Sequence, residues 1–103
     1  MYSYKIDFGS LEWESPMPGI RHKVVQHGSK KIRLVEFSRE MGPHWCEKAH
    51  YGYILEGTFE IEFMDGKRVF KASDGLFIPA STEHKHRAKV LTETVRALFV
   101  EDE

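Results

Sequence analysis

The chain has 103 residues, enough for one modest hydrophobic core and too few for a large enzyme with a separate cofactor domain. Hydrophobic residues make up 41% and charged residues 30%, with 15 Lys+Arg against 16 Asp+Glu, so the chain reads as an ordinary folded protein without the basic excess of a nucleic-acid binder. No apolar run approaches the roughly 18 residues of a membrane span, and a single cysteine, Cys46, excludes an intrachain disulfide framework.

Met1 to Ser10 lacks the basic start and apolar run of a signal peptide, and a cytoplasmic location is expected. Ser15-Pro16-Met17-Pro18-Gly19 is a run of backbone breakers, which predicts a loop or extended arm over residues 1–19. Short strands with turn signals between them follow. Arg21 to Gln26 and Lys31 to Ser38 flank His27-Gly28-Ser29-Lys30, the pattern of a hairpin. In Thr58 to Met64, Phe59, Ile61 and Phe63 share one face and Glu60 and Glu62 the other, a clear period of two. Asp65-Gly66 predicts a tight turn, after which Arg68 to Lys71 returns. Gly75 to Ile78 stops at Pro79. His84 to Val90 and Thr94 to Val100 then precede an acidic tail. Glycines at 42, 52, 57, 66 and 75 interrupt every long helix, so the expected fold is all-β, an antiparallel sandwich or barrel.

Histidine stands out, with six residues at 22, 27, 44, 50, 84 and 86. Four lie in two tight clusters, His44-Trp45-Cys46-Glu47-Lys48-Ala49-His50 and His84-Lys85-His86. Imidazole and thiolate are good ligands for zinc and other late first-row metals. In an extended strand His44 and Cys46 share a side, but His50 would lie roughly 13 Å beyond Cys46, too far for one ion. The chain must therefore bend through Glu47-Lys48-Ala49 if the three are to converge. His86 reads as a supporting or surface residue, and Glu47 as a solvated loop charge. His22 and His27 have no motif around them. Cys46 is a ligand, a small buried hydrophobe or a reactive thiol. Trp45, Tyr51, Tyr53 and Phe77 read as core or interface aromatics. If His50 faces a cavity, Gly52 and Ile54 share its side, and glycine there would leave room near a metal.

The two clusters resemble the two motifs of the cupin superfamily, the small jelly-roll proteins. In the first motif, residues 42–57, His44 matches the first His and Gly57 the closing Gly, while Cys46 stands at the second His and His50 at the Glu. In the second, residues 73–88, Pro79 and His84 match, while Ser73, Ser81 and Ala88 stand at the two Gly positions and the Asn. The resemblance implies a single cupin domain over residues 1–103, an antiparallel double-stranded β-helix.

It also implies one divalent transition-metal ion held by His44, Cys46, His50 and His84. Zinc is favoured by the softened ligand set, with iron, nickel, copper and manganese also open. Small cupins pair through sheet edges and N-terminal strands, so a homodimer is expected, with Met1 to Phe8 supplying a strand to the partner. The resemblance implies a metal-dependent enzyme of oxygenase, isomerase or lyase type on a small polar molecule. The alternatives are a non-catalytic barrel that binds or senses a small molecule or metal, and a metal-free structural cupin. No residue selects the reaction, and no catalytic residue is assigned.

Overall fold

The structure is a computed structural model that describes residues 3–102. The described residues form nine strands: β1 Glu14–Met17, β2 Ile20–His27, β3 Lys30–Ser38, β4 His50–Glu56, β5 Thr58–Phe63, β6 Gly66–Lys71, β7 Gly75–Ile78, β8 Arg87–Val90 and β9 Thr94–Asp102. Every strand pairing is antiparallel. The strands form a six-stranded sheet in the order β1-β2-β3-β9-β4-β7 and a three-stranded sheet in the order β6-β5-β8. This is the all-β, antiparallel jelly-roll architecture expected from the strand pattern.

Alternation along each strand decides which side chains meet between the sheets. Val35, Ile54, Val95, Ala97 and Phe99 point inward from the large sheet and meet Phe59 and Ile61 of the small one. Leu76 and Ile78 of β7 close the same core, while Phe77 between them is 80% exposed. The rings of Phe37 and Phe59, 5.9 Å apart, tie the two sheets together.

The β2–β3 hairpin turns at Gly28-Ser29, with His27 paired to Lys30. The β5–β6 loop is Met64-Asp65, because Phe63 pairs with Gly66; the turn lies one residue earlier than Asp65-Gly66 predicts. The breaker run after Trp13 forms β1 and a turn, with Met17 paired to Ile20. Residues 1 and 2, part of the proposed partner-pairing segment Met1 to Phe8, lie outside the described residues. Residues 3–7 are in no strand.

Two expectations fail near the second motif and the C-terminus. Residues Thr82–His84 form a 3-10 turn, so β8 begins only at Arg87. The acidic tail is largely strand, since β9 continues to Asp102 along β3. Gly52 also has a different role from the one expected. A Cβ there would run into the Leu98 carbonyl oxygen and the Phe99 ring, so glycine admits the neighbouring strand.

Candidate metal centre

β4 opens with His50, and its alternation sends His50 and Ile54 inward and Tyr53 outward. Cys46 sits in the irregular segment before it. That segment is fastened by an isolated antiparallel bridge to the second motif. Cys46 N–H donates to the His86 carbonyl at 2.8 Å, and His86 N–H donates to the Cys46 carbonyl at 3.0 Å. Ser81 N–H donates to the Glu47 carbonyl at 3.1 Å, and the Thr82 hydroxyl donates to the Glu47 carboxylate at 2.7 Å. These bonds impose the bend through Glu47-Lys48-Ala49 that convergence requires.

Cys46, His50 and His86 converge, with one donor atom from each lying within 4.8 Å of the others. Cys46 Sγ is 3.6 Å from His50 Nε2. Two ligands at about 2.3 Å (sulfur) and 2.1 Å (nitrogen) from a tetrahedral zinc would be about 3.6 Å apart, so the donor pair already fits an ion. The His50 and His86 rings meet edge to face, with centroids 5.1 Å apart.

Both imidazoles are oriented through Nδ1. His50 Nδ1 lies 3.1 Å from Glu101 Oε2, and His86 Nδ1 lies 3.1 Å from the His84 carbonyl oxygen. A carboxylate and a carbonyl only accept, so each Nδ1 carries a proton and donates it. Each Nε2 is then the nitrogen a metal would take, in place of the proton that the charged ring directs at the Cys46 sulfur, the arrangement by which an outer partner fixes a ligating histidine. Glu101 is itself held by Arg33, whose Nη2 donates to Oε2 at 3.0 Å and whose Nε lies 2.8 Å from Oε1. Beyond it, Arg33 Nη1 lies 3.0 Å from His22 Nδ1.

The electrostatics favour a ligating sulfur. Hydrogen bonds from His50 and then His86 outweigh burial and hold the Cys46 thiol at a pKa of about 5. Burial works against charge on His50, but its bonds to Cys46 and Glu101 prevail and raise its pKa. Burial likewise opposes charge on Glu101, and the bonds from His50 and Arg33 overcome it, bringing the carboxyl to about 2.

The set of donors differs from the expected His44, Cys46, His50 and His84. Cys46 and His50 are in the cluster; His44 and His84 are outside it. His44 is exposed on the rim of the same cavity, its Nδ1 3.2 Å from the Gly42 carbonyl oxygen. His84 ends the 3-10 turn and faces a separate pocket with Phe63, Phe70 and Pro79. The turn delays entry into the strand by three residues, from His84 to Arg87, and His86, on the bridge just before it, takes the inward position, only 5% exposed. His22 reaches the network only through Arg33, and Glu47 serves the loop. Glu101 was hidden in the acidic tail, although it continues the inward sequence Val95, Ala97, Phe99 at the same period of two.

The three donors line a cavity of about 530 Å³ between the sheets, walled by Phe37, Phe59, Ile61, Leu76, Ile78 and Phe99. An apolar barrel with a few convergent polar groups is the setting of a small-molecule site.

A small antiparallel jelly roll with a histidine and cysteine cluster facing its interior defines a class of barrel proteins, and the comparisons agree. The chain belongs to the cupin family: residues 34–101 match the family model of the Cupin domain. Among solved structures, KdgF from Halomonas sp. is 28% identical, with a TM-score of 0.75 over 97% of this chain and 92% of that one. An RmlC-like cupin from Shewanella frigidimarina is 17% identical, with a TM-score of 0.73 over 100% and 94%. A sugar phosphate isomerase from a cupin superfamily, from Silicibacter pomeroyi, is 17% identical, with a TM-score of 0.74 over 96% and 75%. The last two likenesses concern the fold. The comparison with curated proteins gives no match.

Proposed function

We propose that this cupin holds one divalent transition-metal ion on Cys46, His50 and His86 and is a metal-dependent enzyme acting on a small polar molecule. One observation carries this reading. Two imidazoles, each fixed through Nδ1, meet a thiol with its pKa held at about 5 within 4.8 Å inside a barrel cavity. The N₂S donor set suits zinc best, with iron, nickel, copper and manganese as the other candidates. When bound, such an ion acts as a Lewis acid on an oxygen of substrate or water.

The chain's own residues do the rest. Glu101 keeps the proton on His50 Nδ1 and Arg33 keeps Glu101 ionised. Phe99 packs beside the His50 ring at 5.1 Å, and the apolar wall limits water. Three protein donors leave positions for a ligand, as catalytic sites do. One structural neighbour is a sugar phosphate isomerase, which supports chemistry on a small polar substrate in this fold. A second reading, a barrel that binds or senses without turnover, is favoured by the state of Glu47. It is the carboxylate lining the cavity and is occupied by Thr82.

We also propose a homodimer. Val25, Ile32, Val100, Tyr51 and Phe77 form one register row across five strands on the outer face of the large sheet, with Tyr53 at 47% exposure in the next. Phe77→Glu should convert a dimer to monomer in sedimentation velocity; a monomeric parent would refute the pairing. The metal reading is tested by metal content after purification without a tag, as set out at the end of the Discussion.

A further inference from the structure

We propose that the ligand entering this cavity is a small organic anion, anchored at the mouth by Lys48 and Arg87; the inference rests on the metal-site reading above and names the substrate class of that site. The Cys46–His86 bridge is its structural origin. Alternation about the bridge turns Cys46 and His86 inward and places Trp45 and Arg87 at the rim. The Arg87 guanidinium carbon lies 4.7 Å from the Trp45 ring centroid and Lys85 Nζ 5.2 Å from it, so the indole gathers two cations, of which Arg87 lines the cavity.

The charged side chains lining the cavity are Arg33, Lys48, Arg87 and Glu47. Their commitments differ. Arg33 is bound to Glu101 and His22 at the back of the site. Glu47 accepts from Thr82. Arg87 engages Glu62 through Nε at 2.7 Å, and among the described residues its terminal nitrogens make no side-chain hydrogen bond. Lys48 has no side-chain partner among the described residues. A molecule reaching the three donors therefore passes two cationic groups with unused donors and one carboxylate, Glu47, so that cations outnumber anions along the lining. A neutral molecule would desolvate these cations without replacing their water. An anion pairs with them and is steered to the entrance.

Zinc-loaded protein is titrated calorimetrically with succinate and lactate, and with succinamide and lactamide, which have the same skeletons without charge. Zinc content is measured on each sample. The acids are expected to bind and the amides not. Lys48→Gln and Arg87→Gln should each weaken the acids by about tenfold while zinc stays stoichiometric. Lys48 is on an exposed loop, so Lys48→Glu supplies a folded charge reversal with a larger loss. Amides binding as well as acids, no binding of either, or unchanged affinity in these variants would overturn the anion assignment and leave the metal site standing. Acid binding that needs Lys48 and Arg87 in a protein that takes up no zinc would defeat the metal reading instead and uphold this one.

Discussion

His50 Nδ1 and Glu101 Oε2 are 3.1 Å apart, joining the first residue of β4 to the next-to-last residue of β9. Through this bond a residue outside both sequence motifs sets the orientation and tautomer of a candidate ligand. Losing such a partner typically costs 10- to 100-fold in metal affinity. Glu101→Gln keeps the shape and removes the charge, and it should weaken zinc by about 10-fold or more in a competition titration against a chromogenic chelator. An unchanged affinity would mean that Glu101 serves only the fold. Glu101→Ala should in addition lower stability, because Arg33 would lose its buried counter-charge.

Gly52 faces the Leu98 carbonyl across β4 and β9 at a distance that no Cβ tolerates. Gly52→Ala should destabilise the protein by about 3 kcal/mol, the upper end of the usual cost of overpacking, because the obstruction is backbone. Urea unfolding measures it. A loss below about 1 kcal/mol would show that the strands part easily.

Ser73 has φ +80° and Ser81 has φ +145°, conformations that favour glycine, and both stand where the family motif carries Gly. Ser81 lets its loop turn so that its N–H reaches Glu47, next to Cys46 of the candidate cluster. Ser73→Gly should relieve about 1 kcal/mol and raise Tm by about 4–8 °C. Ser81→Gly should do the same with zinc binding kept. A lower Tm for Ser73→Gly would contradict the strain.

Glu36 connects Arg21 and Arg96, at 2.9 and 2.7 Å. Burial pushes its pKa up, but the two hydrogen bonds win and hold it below 4.5. A folded pKa below the unfolded one stabilises the protein fully above the unfolded value, and the benefit is lost as pH falls through the folded value. Glu36→Gln should therefore be less stable than the parent near about pH 7, and the gap should close as pH falls through the lowered pKa of Glu36. A gap independent of pH would assign the effect to packing.

Much of the fold is legible in the residues. The period of two in Phe59, Ile61 and Phe63 and the Gly28 turn place strands where the structure has them. Cys46 and His50 of the candidate cluster are legible because the motif spacing marks them. His86 is not, because choosing it over His84 depends on a single 3-10 turn that shifts strand entry by three residues. No periodicity records such a shift. Glu101 was missed for another reason: three acidic residues at the end of a chain look solvated, and only extending the β9 alternation past Val100 reveals an inward carboxylate. Gly52 shows the same limit, since what a glycine makes room for depends on a strand distant in sequence.

The most direct test of the central claim compares metal content by inductively coupled plasma mass spectrometry in the untagged protein, His86→Ala and His84→Ala. The geometry predicts near-stoichiometric metal in the parent, zinc foremost. His84→Ala should retain it, and His86→Ala should lose it while keeping its strand content by circular dichroism. A parent that takes up no metal even after reloading would contradict the account. So would loss in His84→Ala with retention in His86→Ala, which would return the site to the motif position that the structure turns away.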